Sequence, residues 1–489
     1  MKGTQRSGIG FVGQSVKRVE DRRLLTGEGR FVADVNPPGV LHAAFLRSPY
    51  PHARINDIDV SAAHSAPGVA AVLTAQEIND LTHPFPIFVM LPGLYTPLFH
   101  AMSADRVRMV GDPVALVLAD SRYLAEDALE LIEVDYELLP PVANLAQALD
   151  STSVPLWDKA KGNVVFDHSD SYGEVDHVFS SADRVITERF RCPRQSNQPM
   201  ETRGTLVEVD PDTGHLTIRS ATQSSHLLRW IAAALTGKQS TIQTLKDIAG
   251  NKDRMKAFGS AAKSFLADNK NKLQNQDNAG TKDQLKADLS TLRHMQRIGL
   301  GLISKEHYPT VIAQDIGGGF GAKGAIARED IAIVAAAIEV GRSVKWIEDR
   351  VENLVDGGMA REEDIEMSLA VDNDGTLRGM KVDLIIDQGA YPGFPIGAPF
   401  ITRIMKVMFP GAYRFEAFAM RSRVVSTTKG KYVAYRGPWA NETWVRERMI
   451  DVAARALRMS PTDIRLKNMF GEDDMPAEMI TGPTLDVTM

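Results

Sequence analysis

The chain has 489 residues, of which 44% are hydrophobic and 24% are charged, and its formal net charge is −6. This length suffices for two or more domains, and the ordinary composition excludes a fibrous repeat or a wholly disordered chain. The charge lacks the basic excess of a nucleic-acid binder, and no apolar run approaches the roughly 20 residues that span a bilayer. We expect a multidomain globular protein, located in the cytoplasm because the N-terminal residues show no signal-peptide pattern.

The first part of the chain mixes predicted strands and helices. A buried strand is predicted at 114–118, after a Gly-Asp-Pro turn. A helix N-capped by Ser121 follows it. The predicted buried face of this helix consists of Leu124, Ala128 and Leu131. We expect a compact α+β domain that ends near residue 150.

The second part begins with a polar, turn-rich segment, which suits a connection at the surface. Alternating apolar and polar residues flank turn residues at 210–214 and again at 372–375, which predicts two β-hairpins in related sheet units. Near the C-terminal end, Ser460 is expected to N-cap a helix that has Pro461 at its first position.

Between these hairpins the composition changes over residues 238–308. Lysine, glutamine, asparagine and aspartate dominate, and apolar residues recur at helical spacing on either side of a turn at 278–280. This pattern predicts a helical hairpin inserted into the second domain. Its lysines are expected to form the solvated faces of amphipathic helices rather than a binding patch.

The single cysteine, Cys192, limits the redox chemistry that this chain performs alone. One thiol forms no intrachain disulfide and holds neither a four-cysteine zinc site nor an iron–sulfur cluster. Any electron relay is therefore expected on other subunits. Cys192 itself is expected to be a structural thiol, because no nucleophile signature surrounds it.

A glycine cluster at 317–321 follows a strand pattern and precedes an apolar helical pattern. Glycine lets backbone N–H groups approach an anion closely. Gly319, Gly321 and Gly324 satisfy GxGxxG, and Asp349 stands where a ribose-binding acid is expected. A phosphate-binding P-loop is excluded because Gly324 occupies the place of its serine or threonine. A ligand-free turn, a dinucleotide site and a site for another phosphate-bearing cofactor all remain open.

Motifs along most of the chain resemble the xanthine dehydrogenase and aldehyde oxidase family of molybdenum hydroxylases. VGDPVALVLADSRYLAEDALELIEVDYELLP resembles its hammerhead domain, and DIGGGFGAK, KWIEDRVENL and AYRGPWANETWVRERM resemble its first molybdopterin-binding domain. The resemblance covers nearly everything except the insert. It implies an α+β chain with a hammerhead domain at 1–150, the first molybdopterin-binding domain at 151–489 and the helical insert within it.

The resemblance also implies the chemistry. In that family, molybdenum held by a pyranopterin hydroxylates a substrate C–H bond with oxygen from water, and electrons leave through iron–sulfur clusters to FAD. The expected cofactor is molybdopterin cytosine dinucleotide, with no metal ligand directly from the protein. The expected substrate is an N-heteroaromatic compound or an aldehyde. The expected partners are a 2Fe–2S subunit, an FAD subunit and a chain with the second molybdopterin-binding half.

Site residues follow from matching family motifs one by one. The matches are Gln223, which pairs with a molybdenum oxygen; Gly318, Gly319, Phe320 and Gly321 in the cofactor loop; and Arg436 and Gly437 in the active-site loop. Gln223 and Arg436 are the catalytic candidates. Arg421 is expected to orient substrate, with an ordinary surface arginine as the alternative. Trp439 either forms a pocket wall or packs in the core.

Several departures from the family pattern narrow these expectations. Gly437 replaces the cysteine that ligates copper in carbon monoxide dehydrogenases, so carbon monoxide oxidation is not expected. Gly324 replaces a glutamate of purine-oxidising members, and Pro438 and Trp439 follow the Arg-Gly pair where those members have a phenylalanine, so xanthine is not expected either.

The family's general-base glutamate belongs to the second half and is assigned to no residue here; Glu201, Glu348 and Glu442 lie in other motifs. Activity is therefore expected only when a second chain supplies that half, unless the sequence is a truncated product. Two rival hypotheses remain. One is an inactive paralogue or scaffold that keeps the fold without the cofactor, and the other is a nicotinamide-dependent dehydrogenase that uses the GxGxxG loop.

Overall fold

The computed structural model describes residues 14–85, 91–236, 308–394 and 397–486. The predicted helical insert at 238–308 lies outside these ranges except for Tyr308. None of the described helices combines the length and apolar character needed to cross a membrane.

The described chain mixes strands and helices along its whole length. The strands are β1 (Leu41–Arg47), β2 (Ala53–Asp59), β3 (Val69–Thr74), β4 (Arg106–Val107), β5 (Pro113–Ala119), β6 (Glu133–Leu138), β7 (Val164–Tyr172), β8 (Arg184–Gln195), β9 (Gly204–Val209), β10 (Leu216–Ser220), β11 (Thr310–Ile312), β12 (Val344–Ile347), β13 (Ala360–Val371), β14 (Leu377–Asp387), β15 (Ala417–Val425), β16 (Ala477–Glu478) and β17 (Thr484–Leu485). The helices are α1 (Asp21–Leu25), α2 (Ser61–His64), α3 (Ala75–Leu81), α4 (Arg122–Leu129), α5 (Leu145–Leu149), α6 (Val175–Ser181), α7 (Ser225–Leu235), α8 (Arg328–Val340), α9 (Arg350–Asp356), α10 (Ala398–Met408), α11 (Asn441–Leu457) and α12 (Pro461–Asn468).

A seven-stranded sheet of order β11-β10-β9-β12-β1-β5-β3 joins the first part of the chain to the second. The junction is a parallel pairing of β1 with β12, in which Leu41 lies beside Val344. Helices α7 and α8 contribute to the apolar core that covers this sheet, and α8 is buried over most of its length. The strands on either side of the predicted boundary at residue 150 therefore share one sheet.

A five-stranded sheet of order β7-β15-β14-β13-β8 forms the second layer. On one face its apolar side chains pack with α10 and α11 in a second core. The alternation along β15 shows the two faces, since Met420 and Ser422 are buried and Arg421 between them is exposed. The seven-stranded and five-stranded sheets together carry the candidate site.

The first predicted helix exists, but its predicted buried face is confirmed only at Ala128 and is wrong at Leu124 and Leu131. Ser121 does N-cap α4, with its hydroxyl oxygen accepting from the Leu124 N–H at 3.3 Å. Leu124 and Leu131 are exposed, whereas Ala125 and Ala128 are buried against small side chains of β1 and β5. The helix lies so close to these strands that alanine fits the contact and leucine remains at its edge.

Both predicted hairpins are confirmed, as β9–β10 and β13–β14. They belong to different sheets, so the prediction that they form related units is wrong. Turn chemistry identifies a hairpin locally, but sheet membership depends on pairings with distant strands. The predicted cap of α12 is confirmed, because the Ser460 hydroxyl accepts from the Thr462 N–H at 3.2 Å and Pro461 is the first helical residue.

Candidate functional site

The glycine cluster forms a tight loop between β11 and α8. Gly318 and Gly321 adopt φ angles of 96° and 102°, which side-chain-bearing residues rarely adopt. At Gly319 the reason for glycine is space, because a Cβ there would lie 2.5 Å from Oε1 of Gln223. A Cβ at Gly321 would lie 2.5 Å from the Ala434 carbonyl oxygen. The loop therefore packs directly against two other segments.

The first of these segments contains Gln223, which lies between β10 and α7. Its backbone N–H donates to the Lys323 carbonyl at 2.9 Å, and its side-chain Oε1 accepts from the Gly321 N–H at 2.9 Å. Gln223 is exposed, and within the described ranges no hydrogen bond involves its amide Nε2. One amide group is thus fixed through its oxygen while its N–H donors remain available beside the glycine loop.

The second segment is the turn at 434–437. The Arg436 N–H donates to the Phe320 carbonyl at 2.9 Å, which ties this turn to the glycine loop. Phe320 and Arg436 have φ angles of 49° and 36°, and nearby Gln198 has 37°. Each such non-glycine conformation costs about 1–3 kcal/mol. Surrounding contacts must hold this strain, and its concentration here is typical of a functional site.

A buried ion pair between Glu201 and Lys323 stabilises the glycine loop. Glu201 Oε2 accepts from the Gly317 N–H at 2.8 Å and from Lys323 Nζ at 2.7 Å. Lys323 is 2% exposed, and burial lowers its pKa while Glu201 opposes that change. Both ends of the glycine loop are therefore fixed to the same carboxylate.

The turn at 434–437 is supported from β13. Arg361 is buried and donates to the carbonyls of Tyr435 and Pro438, at 3.1 and 3.0 Å. Glu363, two residues further along β13, accepts from Asn441 Nδ2 at 2.6 Å. Burial raises the pKa of Glu363 to about 7, and the charge of a nearby glutamate adds to this increase. The hydrogen bond from Asn441 and the positive charge of Arg361 oppose it. A carboxyl group that titrates near neutral pH instead of near 4.5 thus lies behind the turn.

The structure brings together most of the predicted site residues. Those in mutual contact are Gln223, Gly318, Gly319, Phe320, Gly321 and Arg436, and Gly437 directly follows Arg436 with a φ angle of 76°. Arg421 is apart from them, because it lies on the exposed face of β15 and its guanidinium pairs with Asp167 at 2.8 Å. Trp439 is half-buried against the core of the five-stranded sheet.

Sequence analysis did not select Asn197, Arg361 or Glu363. A signal existed for the two β13 residues, because they share the inward-facing parity of Ile365 and Met367 and are therefore buried charges. No local pattern marks Asn197, whose hydrogen-bond partners are backbone carbonyls from two distant segments.

The geometry does not support a dinucleotide site at the GxGxxG sequence. A Cβ at Gly324 would meet nothing within 4 Å, so this position lacks the close helix–strand packing that requires the third glycine. Asp349 caps α9 by accepting from the Glu352 N–H at 2.7 Å. Strands β11 and β12 are separated in the sheet by β10 and β9, whereas consecutive strands of a βαβ dinucleotide unit are neighbours.

Comparisons with known proteins identify two domains in the chain. Residues 26–140 match the model of the aldehyde oxidase and xanthine dehydrogenase α/β hammerhead domain, and residues 156–250 and 293–469 match that of the molybdopterin cofactor-binding domain. The chain belongs to the xanthine dehydrogenase and aldehyde oxidase family of molybdenum hydroxylases.

Relatives within this molybdenum hydroxylase family include the 6-hydroxypseudooxynicotine dehydrogenase complex subunit gamma of Paenarthrobacter nicotinovorans, which is 30% identical over 95% of this chain and 50% of its own length. The chain spans about half the length of most curated relatives that it matches. It covers 92% of the nicotinate dehydrogenase large molybdopterin subunit of Eubacterium barkeri, at 24% identity. Among solved structures, quinoline 2-oxidoreductase from Pseudomonas putida 86 matches with a TM-score of 0.80, at 32% identity over 97% of this chain and 52% of that chain.

The residues of the site fit the molybdenum cofactor of this family. The fit rests on the available amide N–H donors of Gln223 and on a glycine loop whose backbone can approach a ligand closely. In the part of the chain that the structure describes, no cluster of three or more His, Cys, Asp or Glu side chains could hold a metal ion.

Proposed function

We propose that this chain forms part of a molybdenum hydroxylase that inserts water-derived oxygen into a C–H bond of an N-heteroaromatic compound or an aldehyde. The observation that carries the proposal is the convergence of the Gln223 amide, the glycine loop and the Arg436 turn at one place. These three segments are far apart in sequence and contact one another only because of the fold.

Each segment has a distinct role in this proposal. When bound, the molybdenum cofactor supplies the oxidising metal and the oxygen that is transferred. Gln223 donates an amide hydrogen to an oxygen of that group, since its Oε1 is already occupied by the Gly321 N–H. Gly318, Gly319, Phe320 and Gly321 present backbone to the cofactor. Arg436, which is exposed, would place a permanent positive charge beside the bound cofactor.

The proposed substrate class rests on the absence of a cysteine at position 437 and on the names of the relatives. In this proposal carbon monoxide is not the substrate, because Gly437 offers no sulfur where a copper-ligating cysteine is expected in carbon monoxide dehydrogenases. Relatives that are named for nicotine and quinoline support an N-heteroaromatic substrate. Trp439 and Arg421 remain the proposed pocket residues, although Trp439 packs against the core and Arg421 pairs with Asp167.

The proposed cofactor form is molybdopterin cytosine dinucleotide, and the proposed partners are a 2Fe–2S subunit, an FAD subunit and a chain with the second molybdopterin-binding half. The E. barkeri relative supports a divided arrangement, because this chain covers nearly all of a protein that is itself named a subunit. In this arrangement the second chain supplies the general-base glutamate, and the present chain alone is inactive.

The test is purification of the tagged chain from its own cells under native conditions. Molybdenum and cytosine dinucleotide are quantified, and co-purifying chains are identified by mass spectrometry. Stoichiometric molybdenum together with the three partner chains is the expected result. A chain that co-purifies with none of them and contains no molybdenum would instead favour the scaffold hypothesis.

A further inference from the structure

Asn197 connects the two loops of the candidate site. It lies in the segment between β8 and β9 and is 7% exposed. Its side-chain Nδ2 donates to the Phe320 carbonyl at 3.0 Å and to the Ala434 carbonyl at 2.7 Å. Both hydrogens of one amide are therefore used, each on a different loop.

The two carbonyls that Asn197 binds lie where the loops are most constrained, one at a residue with positive φ and the other at a close contact with Gly321. Phe320 itself has a φ angle of 49°, and its carbonyl also accepts from the Arg436 N–H at 2.9 Å. Ala434 is the residue whose carbonyl lies so close to Gly321 that a Cβ there would meet it at 2.5 Å. A single side chain thus holds both sides of the closest contact between the loops.

The side-chain oxygen of Asn197 shows that the two carbonyls determine how the side-chain amide is oriented. Asn197 Oδ1 is buried and has no hydrogen-bond partner in the described part of the chain. A buried oxygen without a partner is unfavourable, so the two hydrogen bonds from Nδ2 are the favourable contacts of this amide.

We propose that Asn197 is a positioning residue that sets the spacing between the glycine loop and the Arg436 turn, and thereby the position of both relative to the bound cofactor. This inference rests on the proposed function for its second part only. The first part concerns the conformation of this chain and is tested without any cofactor.

The experiment compares Asn197→Ala and Asn197→Asp with matched changes at Asn468. Asn468 is also buried, and its Nδ2 donates to the carbonyls of Gly375 and Ile464 at 2.8 and 2.7 Å. Alanine removes both donors at either position. Aspartate keeps the size but places carboxyl oxygens against carbonyl oxygens.

Amide hydrogen exchange of the full chain is the first readout. Both Asn197 variants are expected to speed exchange about tenfold in peptides that cover 317–323 and 434–437, because the loops lose their shared donor. The Asn468 variants are expected to lower the melting temperature without this local change. Unaltered exchange in both loops would overturn the inference, whatever the metal content.

The second readout is the Mo(V) electron paramagnetic resonance spectrum of the native complex. A changed spectrum in the Asn197 variants and an unchanged one in the Asn468 variants is expected. Identical spectra in all variants would refute the effect on the cofactor. Absence of molybdenum from the wild-type complex would count against the proposed function, while the exchange experiment would still decide the role of Asn197.

Discussion

The buried carboxyl group of Glu363 makes a specific prediction about pH. The side chain is 2% exposed, Oε2 accepts from Asn441, and Oε1 has no partner among the described residues. Burial raises its pKa from 4.5 to about 7. At about 1.4 kcal/mol for each pKa unit, ionising Glu363 costs about 3.5 kcal/mol more in the folded chain than in the unfolded chain.

The sign follows from proton binding. The folded state binds this proton more tightly than the unfolded chain does, so the contribution of Glu363 to stability is greatest below about pH 4.5 and is lost as pH rises through about 7. Between pH 5 and pH 8 the free energy of unfolding should fall by about 2.5 kcal/mol on account of this group.

The change Glu363→Gln keeps the shape and the acceptor for Asn441 but removes the titration. We expect the free energy of unfolding of the variant, measured by urea denaturation, to lose this component of its pH dependence and to exceed that of wild type at pH 8. Glu366→Gln is the control, because Glu366 lies on the same strand and is exposed. If the wild-type and Glu363→Gln curves run parallel from pH 5 to pH 8, the assignment of a buried neutral carboxyl is wrong.

Further predictions concern ion pairs, glycines and a buried hydroxyl. Arg203→Met should lower the free energy of unfolding by about 3–5 kcal/mol in urea titrations, since Arg203 is buried and pairs with three carboxylates; Arg421→Met, which opens an exposed pair, should cost about 1 kcal/mol or less. Equal losses would contradict this ranking. Gly319→Ala should reduce the molybdenum content of the native complex, measured by elemental analysis, because of its 2.5 Å clash, whereas Gly324→Ala has open space and should not. Tyr432→Phe should leave the melting temperature unchanged or raise it, because the hydroxyl is buried without a partner in the described structure; a clear decrease would reveal a hydrogen bond that this geometry lacks.

The buried network around Arg203 also explains how the two parts of the chain are joined. Arg203 pairs with Glu329 of α8 and Asp356 of α9, at 3.2 and 2.9 Å. Arg47 of β1 reaches the same two carboxylates, at 2.9 and 3.3 Å. Removing any one partner leaves a buried charge uncompensated. The network therefore holds together segments that are in contact only in the folded chain.

Local sequence signals determined much of the fold and part of the site. Turn residues at 210–214 and 372–375 fixed two hairpins, and the serine–proline pair at 460–461 fixed the start of α12, because these features depend on backbone conformations of a few adjacent residues. The glycine cluster and the family motifs identified Gln223 and Arg436 as candidates, since both lie within short, specific patterns.

Tertiary structure alone decided which segments meet. The parallel pairing of β1 with β12 and the partition of the two hairpins between different sheets involve residues far apart in sequence, for which no local pattern specifies a partner. The same holds for Asn197, whose role depends on carbonyl groups that every residue carries. A periodic pattern predicts that one face of an element is buried. The shape of the neighbouring surface decides which side chains fit there, as the alanines of α4 show.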